Sequence, residues 1–448
     1  MLTPKAIFAG HAPRYTSYPT APHFHPGVNP ARYREWLATL PANEPLSLYF
    51  HIPFCDTLCW FCACHTTVVN NYAPVADYLD LLLAELDMVS RALPGRQAVS
   101  HIHWGGGSPT ILAPRDMLRL DRAVRERFDV LPDAAFAVEI DPRGFDADMA
   151  AALATCGVTR ASLGIQDCDP KVQQAINRIQ PMTEVEQCLD LLRGNGITGI
   201  NLDLVYGLPY QTPDSFARTL SAALALSPQR IAVFGYAHVP SFKKHQALIP
   251  DEALPDVDQR LALARLAETT ITGAGYQAIG LDHFARPEDC LAQAAQKGTL
   301  RRNFQGYTTD TARTLLGFGA SAISALPQGY VQNLQATPSY RGALRAGELP
   351  VARGIALTRE DRLRRDVIEH LMCGLRVDLG EACARHNTAP DALDWALRDL
   401  APLCEAGAVV VRHRLVAVNP DMPQAARLAA AVFDAYLGVG AALHSQSA

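Results

Sequence analysis

The chain has no excess of basic residues, since its 40 Lys and Arg are outnumbered by 45 Asp and Glu, for a formal net charge of −5. Proteins that bind a nucleic-acid backbone are usually basic, so no nucleic-acid partner is expected. The sequence has no apolar run near the ~18 residues that a membrane-spanning helix needs. Its first ten residues lack the basic stretch and apolar core of a secretion signal. We therefore expect a cytoplasmic protein without a membrane span.

The chain has few cysteines for a disulfide-stapled protein of its length. Eleven cysteines among 448 residues are too few for a disulfide-stapled scaffold, and the number is odd. Four of them, Cys55, Cys59, Cys62 and Cys64, fall in one short segment. This distribution is typical of a reduced intracellular protein with a metal site.

Hydrophobic residues make up 49% of the chain and charged residues 19%, which favours a packed core over disorder. From about Pro45, short apolar runs alternate with stretches of helical spacing, a pattern that predicts a parallel sheet or a (β/α) barrel, complete or open. The predicted strands are Leu46–Ile52, Val99–Trp104, Ala135–Ile140, Arg160–Ile165, Ile200–Tyr206, Arg230–Tyr236 and Tyr276–Leu281. The predicted helices are Ala76–Leu93, Pro114–Arg127, Asp146–Cys156, Glu184–Asn195, Pro213–Leu226 and Val257–Gly273.

Three segments of different character predict the domain organisation. Residues 1–45 are rich in Pro, Tyr, His and Ala and are expected to form an extended arm, and residues 46–352 to form the barrel. Residues 353–448 are expected to form a mostly helical C-terminal domain. It would begin with a capping box at Thr358 and Asp361 and contain a small β-wing at Ala408–Val416. We expect it to be a structural cap or lid rather than a DNA-binding module.

The cysteine segment follows the first predicted strand, at the end of a barrel strand where active sites form. Four cysteines could close a tetrahedral zinc site, although Cys62 and Cys64 are a cramped pair for one. Alternatively, Cys55, Cys59 and Cys62 bind a [4Fe–4S] cluster and leave one iron open for a substrate or cofactor. Their C-x3-C-x2-C spacing, with an aromatic residue before the third cysteine, resembles the signature of radical S-adenosylmethionine (SAM) enzymes. We favour this alternative over zinc.

Polar and glycine residues at other strand ends indicate a ligand cavity. Gly105–Gly107 and Ser108 end the second strand, where glycine lets the backbone approach a ligand such as the ammonium group of SAM. Glu139, Gln166 and Asp203 lie in the third, fourth and fifth strands. Any one of them could be a satisfied core residue, but three in successive strands predict a lined cavity.

From about Pro13 to Leu437, the chain resembles the oxygen-independent coproporphyrinogen III oxidase family of radical SAM enzymes. The cysteine motif alone indicates only the superfamily, whereas the arm and Asn303–Thr308 are closer to this one family. The similar stretches are Pro13–Thr20, His51–Cys64, His103–Thr110, Glu139–Arg143, Gly164–Asp167, Asp203–Pro209, Tyr236–His238, Gly280–Arg286, Arg302–Thr308 and Gly354–Thr358.

The resemblance implies an α/β fold, namely an open (β/α)6 radical SAM barrel that is part of a TIM-like barrel, with an N-terminal arm and a mostly helical C-terminal domain. It implies that Cys55, Cys59 and Cys62 bind the [4Fe–4S] cluster, and that Cys64 matters for activity without being a ligand. It also implies two SAM molecules per chain. The contacts implied for the first SAM are Tyr49, Gly106, Glu139 and Ile323. Those implied for the second are Phe61, Gly107, Ser108, Gln166, Arg178, Asp203 and Ala237.

The implied reaction is the oxidative decarboxylation of two propionates of coproporphyrinogen III, which gives protoporphyrinogen IX in haem and porphyrin biosynthesis without oxygen. The substrate carries four carboxylates, so arginines are the expected partners. The candidates are Arg14, Arg286, Arg301 and Arg302. Arg14, Tyr15 and Tyr18 of the arm are expected to fold over the open mouth of the barrel and hold the macrocycle.

Other properties remain open at this point. A reduced electron donor such as flavodoxin or ferredoxin is expected, as is a monomeric chain. Two alternative functions use the same scaffold. One is a haem-binding chaperone, whose members lack the Pro13–Thr20 arm, and the other is a radical SAM enzyme that acts on haem or a different substrate.

Overall fold

The computed structural model describes residues 12–437. Residues 1–11 of the expected arm and residues 438–448 of the expected C-terminal domain lie outside the described residues. Within residues 12–437, no helix has both the length and the apolar character needed to span a bilayer. Two compact units divide the chain. The barrel unit comprises His25–Leu254 and Asp310–Ala356, and the C-terminal unit comprises Pro255–Thr309 with the described parts of Met1–Phe24 and Leu357–Ala448.

The elements are numbered in chain order. The strands are β1 Leu46–Ile52, β2 Phe54–Cys55, β3 Thr67–Val68, β4 Ala98–Gly106, β5 Asp129–Ile140, β6 Arg160–Gln166, β7 Gly199–Tyr206, β8 Arg230–Gly235, β9 Gln277–Ile279, β10 His283–Ala285, β11 Arg301–Asn303, β12 Gly306–Thr308, β13 Thr314–Phe318, β14 Ile323–Leu326, β15 Gly329–Asn333, β16 Val351–Ala356, β17 Arg376–Asp378, β18 Val409–Arg412 and β19 Leu415–Val418. The α-helices are α1 Pro30–Ala38, α2 Ala73–Ala92, α3 Pro114–Arg127, α4 Ala147–Cys156, α5 Pro170–Ala175, α6 Met182–Gly194, α7 Pro213–Ala225, α8 Val257–Gly273, α9 Cys290–Lys297, α10 Thr337–Arg345, α11 Arg359–Gly374, α12 Leu379–Arg385, α13 Trp395–Asp399, α14 Ala401–Glu405 and α15 Ala425–Val432.

The barrel unit is built on a parallel sheet. Strands β13, β1, β4, β5, β6, β7 and β8 lie side by side in that order, and each neighbouring pair is parallel. Strands β14, β15 and β16 extend the β13 edge with antiparallel pairing. Helices follow β4, β5, β6 and β7, as the (β/α) alternation predicts, and the carboxyl ends of all six strands β1 and β4–β8 point the same way. The predicted parallel (β/α)6 arrangement is confirmed.

Strand sequences explain why this sheet forms. A parallel sheet covered on both faces favours continuous apolar runs, and six of the seven residues of β1 are buried. The rings of Phe50 on β1 and Phe318 on β13 stack with centroids 4.9 Å apart. Trp104 on β4 meets Phe136 on β5 edge-on at 4.8 Å. These aromatic pairs form part of the core where neighbouring strands pack together. Polar side chains lie toward the carboxyl ends of the strands.

Helix α1 lies in the segment expected to be an extended arm, and the sequence analysis missed it. Asn29 caps it by accepting a hydrogen bond from the backbone N–H of Arg32, and Pro30 occupies its first position. The helix has nine residues and buries three side chains, those of Tyr33, Trp36 and Leu37. So few apolar positions give no clear helical period.

The C-terminal unit contains the predicted helical domain and one departure from the prediction. Segment Tyr276–Leu281 was expected to be another strand of the alternation, but β9 is short and pairs antiparallel with β10. The capping box of Thr358 and Asp361 is confirmed at the start of α11. The predicted wing is a hairpin of β18 and β19, which β17 extends to three strands.

The arm tyrosines are core residues of the C-terminal unit. Tyr15 is 4% exposed and Tyr18 is 1% exposed, and both pack in the same apolar cluster as α11 and α15. The Tyr15 hydroxyl donates to Asp434 at 3.0 Å, and the Tyr18 hydroxyl accepts from the N–H of Ala435 at 3.0 Å. The expectation that these rings present flat surfaces to a macrocycle is therefore wrong, because their faces are already covered.

Candidate active site

The cysteine segment begins directly after β1 and forms a loop at the carboxyl end of the barrel strands. Cys55 lies in β2, which pairs with β3, and its thiol hydrogen-bonds the Thr66 hydroxyl at 3.2 Å. Cys59 is 7% exposed, and its carbonyl accepts a hydrogen bond from the N–H of Cys62. Cys62 is half-buried, whereas Cys64 is exposed, and all four thiols are free.

The thiols differ in how readily they ionise. A hydrogen bond from Cys64, together with the nearby charges of Lys243 and His245, lowers the pKa of Cys62 to about 6. The same hydrogen bond raises the pKa of Cys64 well above its usual value. Burial raises the pKa of Cys55 to about 11. Because the thiolate is the form that binds metals, Cys62 is better prepared to act as a ligand than Cys55 or Cys64.

Three side chains from the loop after β8 hold the cysteine segment by its backbone. Lys243 Nζ donates to the carbonyl oxygen of Cys64 at 2.8 Å, and His245 Nε2 hydrogen-bonds that of Cys62 at 2.7 Å. Gln246 Nε2 donates to the carbonyl oxygen of Phe61 at 2.9 Å and to that of Ala237 at 3.2 Å. We name Lys243, His245 and Gln246 the carbonyl clamp. Sequence reasoning missed it because no motif links the clamp to cysteines some 180 residues earlier.

The glycines that end β4 pack against the cysteine segment. The N–H of Gly107 donates to the carbonyl oxygen of Ile52, and a Cβ atom on Gly107 would lie 2.5 Å from the carbonyl oxygen of Phe54. Gly106 has a φ of +121°, which favours glycine. The next residue, Ser108, donates its N–H to Phe54 at 2.8 Å. A close approach between two protein segments is thus one physical reason for glycine here.

Four of the predicted SAM contacts, on β1, β4, β5 and β14, come together. Glu139 accepts hydrogen bonds from the N–H of Gly106 at 3.0 Å and from His103 Nε2 at 3.1 Å. The Tyr49 ring lies 5.7 Å from the His103 ring. Tyr49 is also in register with Gly317, whose α-carbon lies against Ile323.

The Glu139 carboxylate is kept ionised. Burial alone would raise its pKa, but the hydrogen bond and charge of His103, together with the Gly106 N–H, lower the pKa of Glu139. Burial raises the pKa of Tyr49 well above its usual value, and the Glu139 charge adds to this effect. The pair therefore offers an anionic acceptor beside a neutral phenol, which suits a ligand with an ammonium group.

The remaining predicted contacts fall into smaller groups. Asp203 on β7 accepts from Ser162 and Asn201, both at 2.8 Å, and is in register with Gly164 on β6. Arg178 donates to the carbonyl oxygen of Gly164 at 2.6 Å. Gln166 ends β6 with a φ of +67°, a conformation uncommon outside glycine that often marks functional sites. The carbonyl clamp joins Phe61 and Ala237, whereas Gly107 and Ser108 lie against Phe54.

A cavity of about 290 Å³ lies beside Cys55. Ser108, Asp141 and Arg143 line it, together with residues at the starts of α3 and α4. Sequence reasoning assigned no role to Asp141 or Arg143, although both lie in the Glu139–Arg143 stretch.

The four candidate substrate arginines lie in the C-terminal unit, and they are not equivalent. Arg301 forms an ion pair with Glu369 at 2.7 Å, and Arg286 stacks on Tyr276 at 5.1 Å. Arg302 stacks on Tyr307 at 4.4 Å, and its Nε and Nη1 atoms are buried without a hydrogen-bond partner in the described part of the chain.

Arg302 and Arg14 also share an acidic neighbour. Burial raises the pKa of Asp282, but the hydrogen bond from His283 and the charges of Arg302 and Arg14 lower it to about 2. Two guanidinium groups around one carboxylate leave a net positive charge in this part of the unit.

The donor set fits an iron–sulfur cluster. Within residues 12–437, no three His, Cys, Asp or Glu side chains converge closely enough to hold a single metal ion. A [4Fe–4S] cluster is wider than one ion, and each cysteine binds a different iron. Cys55, Cys59 and Cys62 lie in one short segment, and the charges of Cys59 and Cys62 affect the pKa of Cys55, so the three thiols lie near one another. Soft thiolates are the ligands that such clusters require.

A parallel (β/α)6 sheet with three cysteines spaced C-x3-C-x2-C after its first strand defines a radical SAM protein. The model of the Radical SAM superfamily matches residues 49–223. An oxygen-independent coproporphyrinogen III oxidase of Bradyrhizobium diazoefficiens is 50% identical over 435 residues, which cover 97% of each chain. One of Paracoccus denitrificans is 45% identical over 435 residues, which cover 96% of this chain and 95% of the relative.

A solved structure agrees with these relatives. The coproporphyrinogen III oxidase of Escherichia coli, described as a radical SAM enzyme, superposes with a TM-score of 0.90 at 40% identity. The superposition covers 94% of this chain and 97% of that one. The chain belongs to the oxygen-independent coproporphyrinogen III oxidase family.

Proposed function

We propose that the chain converts coproporphyrinogen III to protoporphyrinogen IX by oxidative decarboxylation of two propionates, without oxygen. The observation that carries this proposal is the cysteine loop at the carboxyl end of β1, in a chain that is 50% identical to a relative of that activity. Each propionate loses a hydrogen atom from the carbon next to the ring, then CO2 and one electron, and becomes a vinyl group. An electron acceptor must therefore take one electron for each propionate.

Cys55, Cys59 and Cys62 would hold a [4Fe–4S] cluster. When bound, the cluster supplies the electron for reductive cleavage of SAM, which provides the carbon-centred radical that removes a hydrogen atom. The protein orients the reactants and excludes competing hydrogen donors. The hydrogen bonds of the carbonyl clamp support this role because they fix the carbonyl oxygens of Phe61, Cys62 and Cys64.

We assign SAM binding to two groups of residues. Tyr49, Gly106, Glu139 and Ile323 would contact one SAM, and the ionised Glu139 carboxylate suits its ammonium group. The residues for a second SAM would be Phe61, Gly107, Ser108, Gln166, Arg178, Asp203 and Ala237. The two acidic side chains, Glu139 and Asp203, lie on strands separated by β6, which supports two sites rather than one.

Cys64 would act in turnover and not as a ligand. It lies two residues after Cys62, and its thiol donates a hydrogen bond to the Cys62 sulfur. Arg302 is the strongest candidate for a substrate carboxylate, because two of its buried donor atoms lack partners in the described chain. A flavodoxin or ferredoxin donor, a monomeric state and the cytoplasm remain predictions, as do the domain boundaries at residues 45 and 352.

Anaerobic reconstitution tests the cofactor assignment. The wild-type protein should bind iron and sulfide, absorb broadly near ~400 nm as iron–sulfur proteins do, and form 5′-deoxyadenosine from SAM under a reductant. Cys55→Ser, Cys59→Ser and Cys62→Ser should each lose the intact cluster. Cys64→Ser should keep the cluster but lose most substrate turnover. Normal iron content in any of the first three variants would contradict the assignment, and so would iron loss in Cys64→Ser as severe as in Cys59→Ser.

A further inference from the structure

Two arginines converge on the sulfur of Cys59. Arg143 Nη2 lies 3.8 Å from Cys59 Sγ, and Arg178 Nη1 lies 3.6 Å from the same atom. These are hydrogen-bond distances for a sulfur acceptor. The two arginines come from different parts of the barrel, since Arg143 follows β5 and Arg178 follows α5.

Asp141 holds both guanidinium groups in place. Its Oδ1 accepts from Arg143 Nε at 3.0 Å, and its Oδ2 accepts from Arg143 Nη2 at 2.6 Å. The same Oδ2 accepts from Arg178 Nη1 at 3.0 Å. Both arginines therefore donate to the Asp141 carboxylate and reach the Cys59 sulfur. The carboxylate fixes the orientation of each guanidinium group toward that sulfur.

The local charge balance is positive. Two guanidinium groups face one carboxylate beside Cys59, and the side chain of Arg178 is 8% exposed. Solvent screens such a buried charge weakly. Arg143 is more open, because it also lines the cavity beside Cys55.

We propose that Arg143, fixed by Asp141, is a positioning residue that keeps positive charge on the Cys59 sulfur and thereby favours the reduced form of the cluster that this sulfur would bind. The inference rests on the proposed function, because it presupposes the cluster. When an external one-electron donor reduces the cluster, one negative charge is added and no bond is made or broken. Positive charge and hydrogen bonds at a ligand sulfur stabilise that added charge and raise the reduction potential.

The test is a redox titration of the anaerobically reconstituted protein, followed by the electron paramagnetic resonance signal of the reduced cluster. Arg143→Gln should lower the equilibrium constant for reduction about ten-fold, which is a shift of about 59 mV to more negative potential for one electron. Arg143→Lys keeps the charge and should remain within about two-fold of wild type. Arg115→Gln is the matched control, because its exposed arginine lies near the same cavity and should leave the potential unchanged.

An unchanged potential in a fully loaded Arg143→Gln variant would overturn the inference. If that variant does not retain iron, Arg143→Lys decides. A reduction potential of Arg143→Lys near that of wild type supports the role of charge. A ten-fold lower equilibrium constant for reduction in Arg143→Lys contradicts it. Failure of the proposed function gives a different result, since the wild-type protein itself would then lack a cluster or would not cleave SAM.

Discussion

The side-chain amide of Gln246 donates a hydrogen bond of 2.9 Å to the carbonyl oxygen of Phe61, although 185 residues separate them in sequence. Gln246 is fully buried, and its Oε1 accepts from the N–H of Val239 at 2.6 Å. Both the nitrogen and the oxygen of the Gln246 amide therefore form hydrogen bonds. The loop after the last barrel strand, β8, thus fixes the loop after the first one, β1.

Removing one member of the carbonyl clamp should loosen the cysteine loop. Lys243→Met deletes the donor to the Cys64 carbonyl, a charged hydrogen bond near the surface that is worth about 1 kcal/mol. We expect iron to be lost to a chelator roughly five-fold faster than from wild type, by the relation of about 1.4 kcal/mol to ten-fold. Lys244→Met is the matched control, because Lys244 is the exposed neighbour. Equal rates for the two variants would show that the clamp does not hold the loop.

Gly107→Ala should destabilise the protein and impair cluster assembly. The added Cβ would lie 2.5 Å from the Phe54 carbonyl oxygen, so the cysteine segment or the end of β4 must move. Such overpacking costs about 1–3 kcal/mol. Gly342→Ala is the control, since its Cβ would meet nothing within 4 Å in helix α10 and should be neutral or stabilising. Thermal unfolding and iron content measure both effects, and equal iron content in the two variants would contradict the packing argument.

Glu85 should make stability depend on pH. It is 1% exposed in α2 and accepts from the Gly319 N–H, Asn333 and Tyr340. Burial nevertheless raises the pKa of Glu85 to about 7 from its usual value of 4.5. The folded state therefore binds the proton more tightly than the unfolded state, so this contribution to stability is present at low pH and is lost as pH rises from about 4.5 to 7.

Glu85→Gln removes that titration. The melting temperature of the wild type should fall between pH 5 and pH 7.5 by more than that of Glu85→Gln, measured in the same buffers. Parallel curves for the two proteins would show that Glu85 does not titrate in this range.

The buried arm tyrosines predict a structural role for the arm. Tyr18→Ala removes a ring that is 1% exposed in the core of the C-terminal unit, and such truncations cost about 3–5 kcal/mol. Val410→Ala, at a half-exposed position of the same unit, should cost far less. Unfolding in denaturant provides the comparison, and a small effect of Tyr18→Ala would contradict the packing. Removal of residues 1–28 should likewise destabilise this unit, so lost turnover in that truncation would not by itself demonstrate substrate binding.

Local patterns made much of the fold predictable. The apolar runs of β1 and β4–β8 are long enough to mark buried parallel strands, and the Thr358–Asp361 box marks the start of α11. The cysteine spacing is likewise local. In contrast, the contacts of Gln246 with Phe61 and of Tyr15 with Asp434 join distant segments, and no periodicity reports such pairs. Helix α1 was missed because three buried side chains in nine residues give no clear period.

The glycines at the end of β4 illustrate a different limit. The sequence predicted that glycine lets the backbone approach a ligand there, which stays a prediction, and it gave no sign of a protein neighbour. In the structure a Cβ on Gly107 would meet the Phe54 carbonyl oxygen. The sequence positions of Arg143 and Arg178 do not predict that they meet at Cys59. Asp141 brings the two arginines together only in the folded barrel.

The central claim is tested most directly by product identification. The anaerobically reconstituted protein is incubated with SAM, a reductant, an electron acceptor and coproporphyrinogen III, and the tetrapyrroles are identified by mass. The account predicts protoporphyrinogen IX, which is lighter than the protonated substrate by two CO2 and four hydrogens (two hydrogen atoms, two electrons and two protons), and no product from Cys59→Ser. Unchanged coproporphyrinogen III in the presence of an intact cluster and active SAM cleavage would contradict the account.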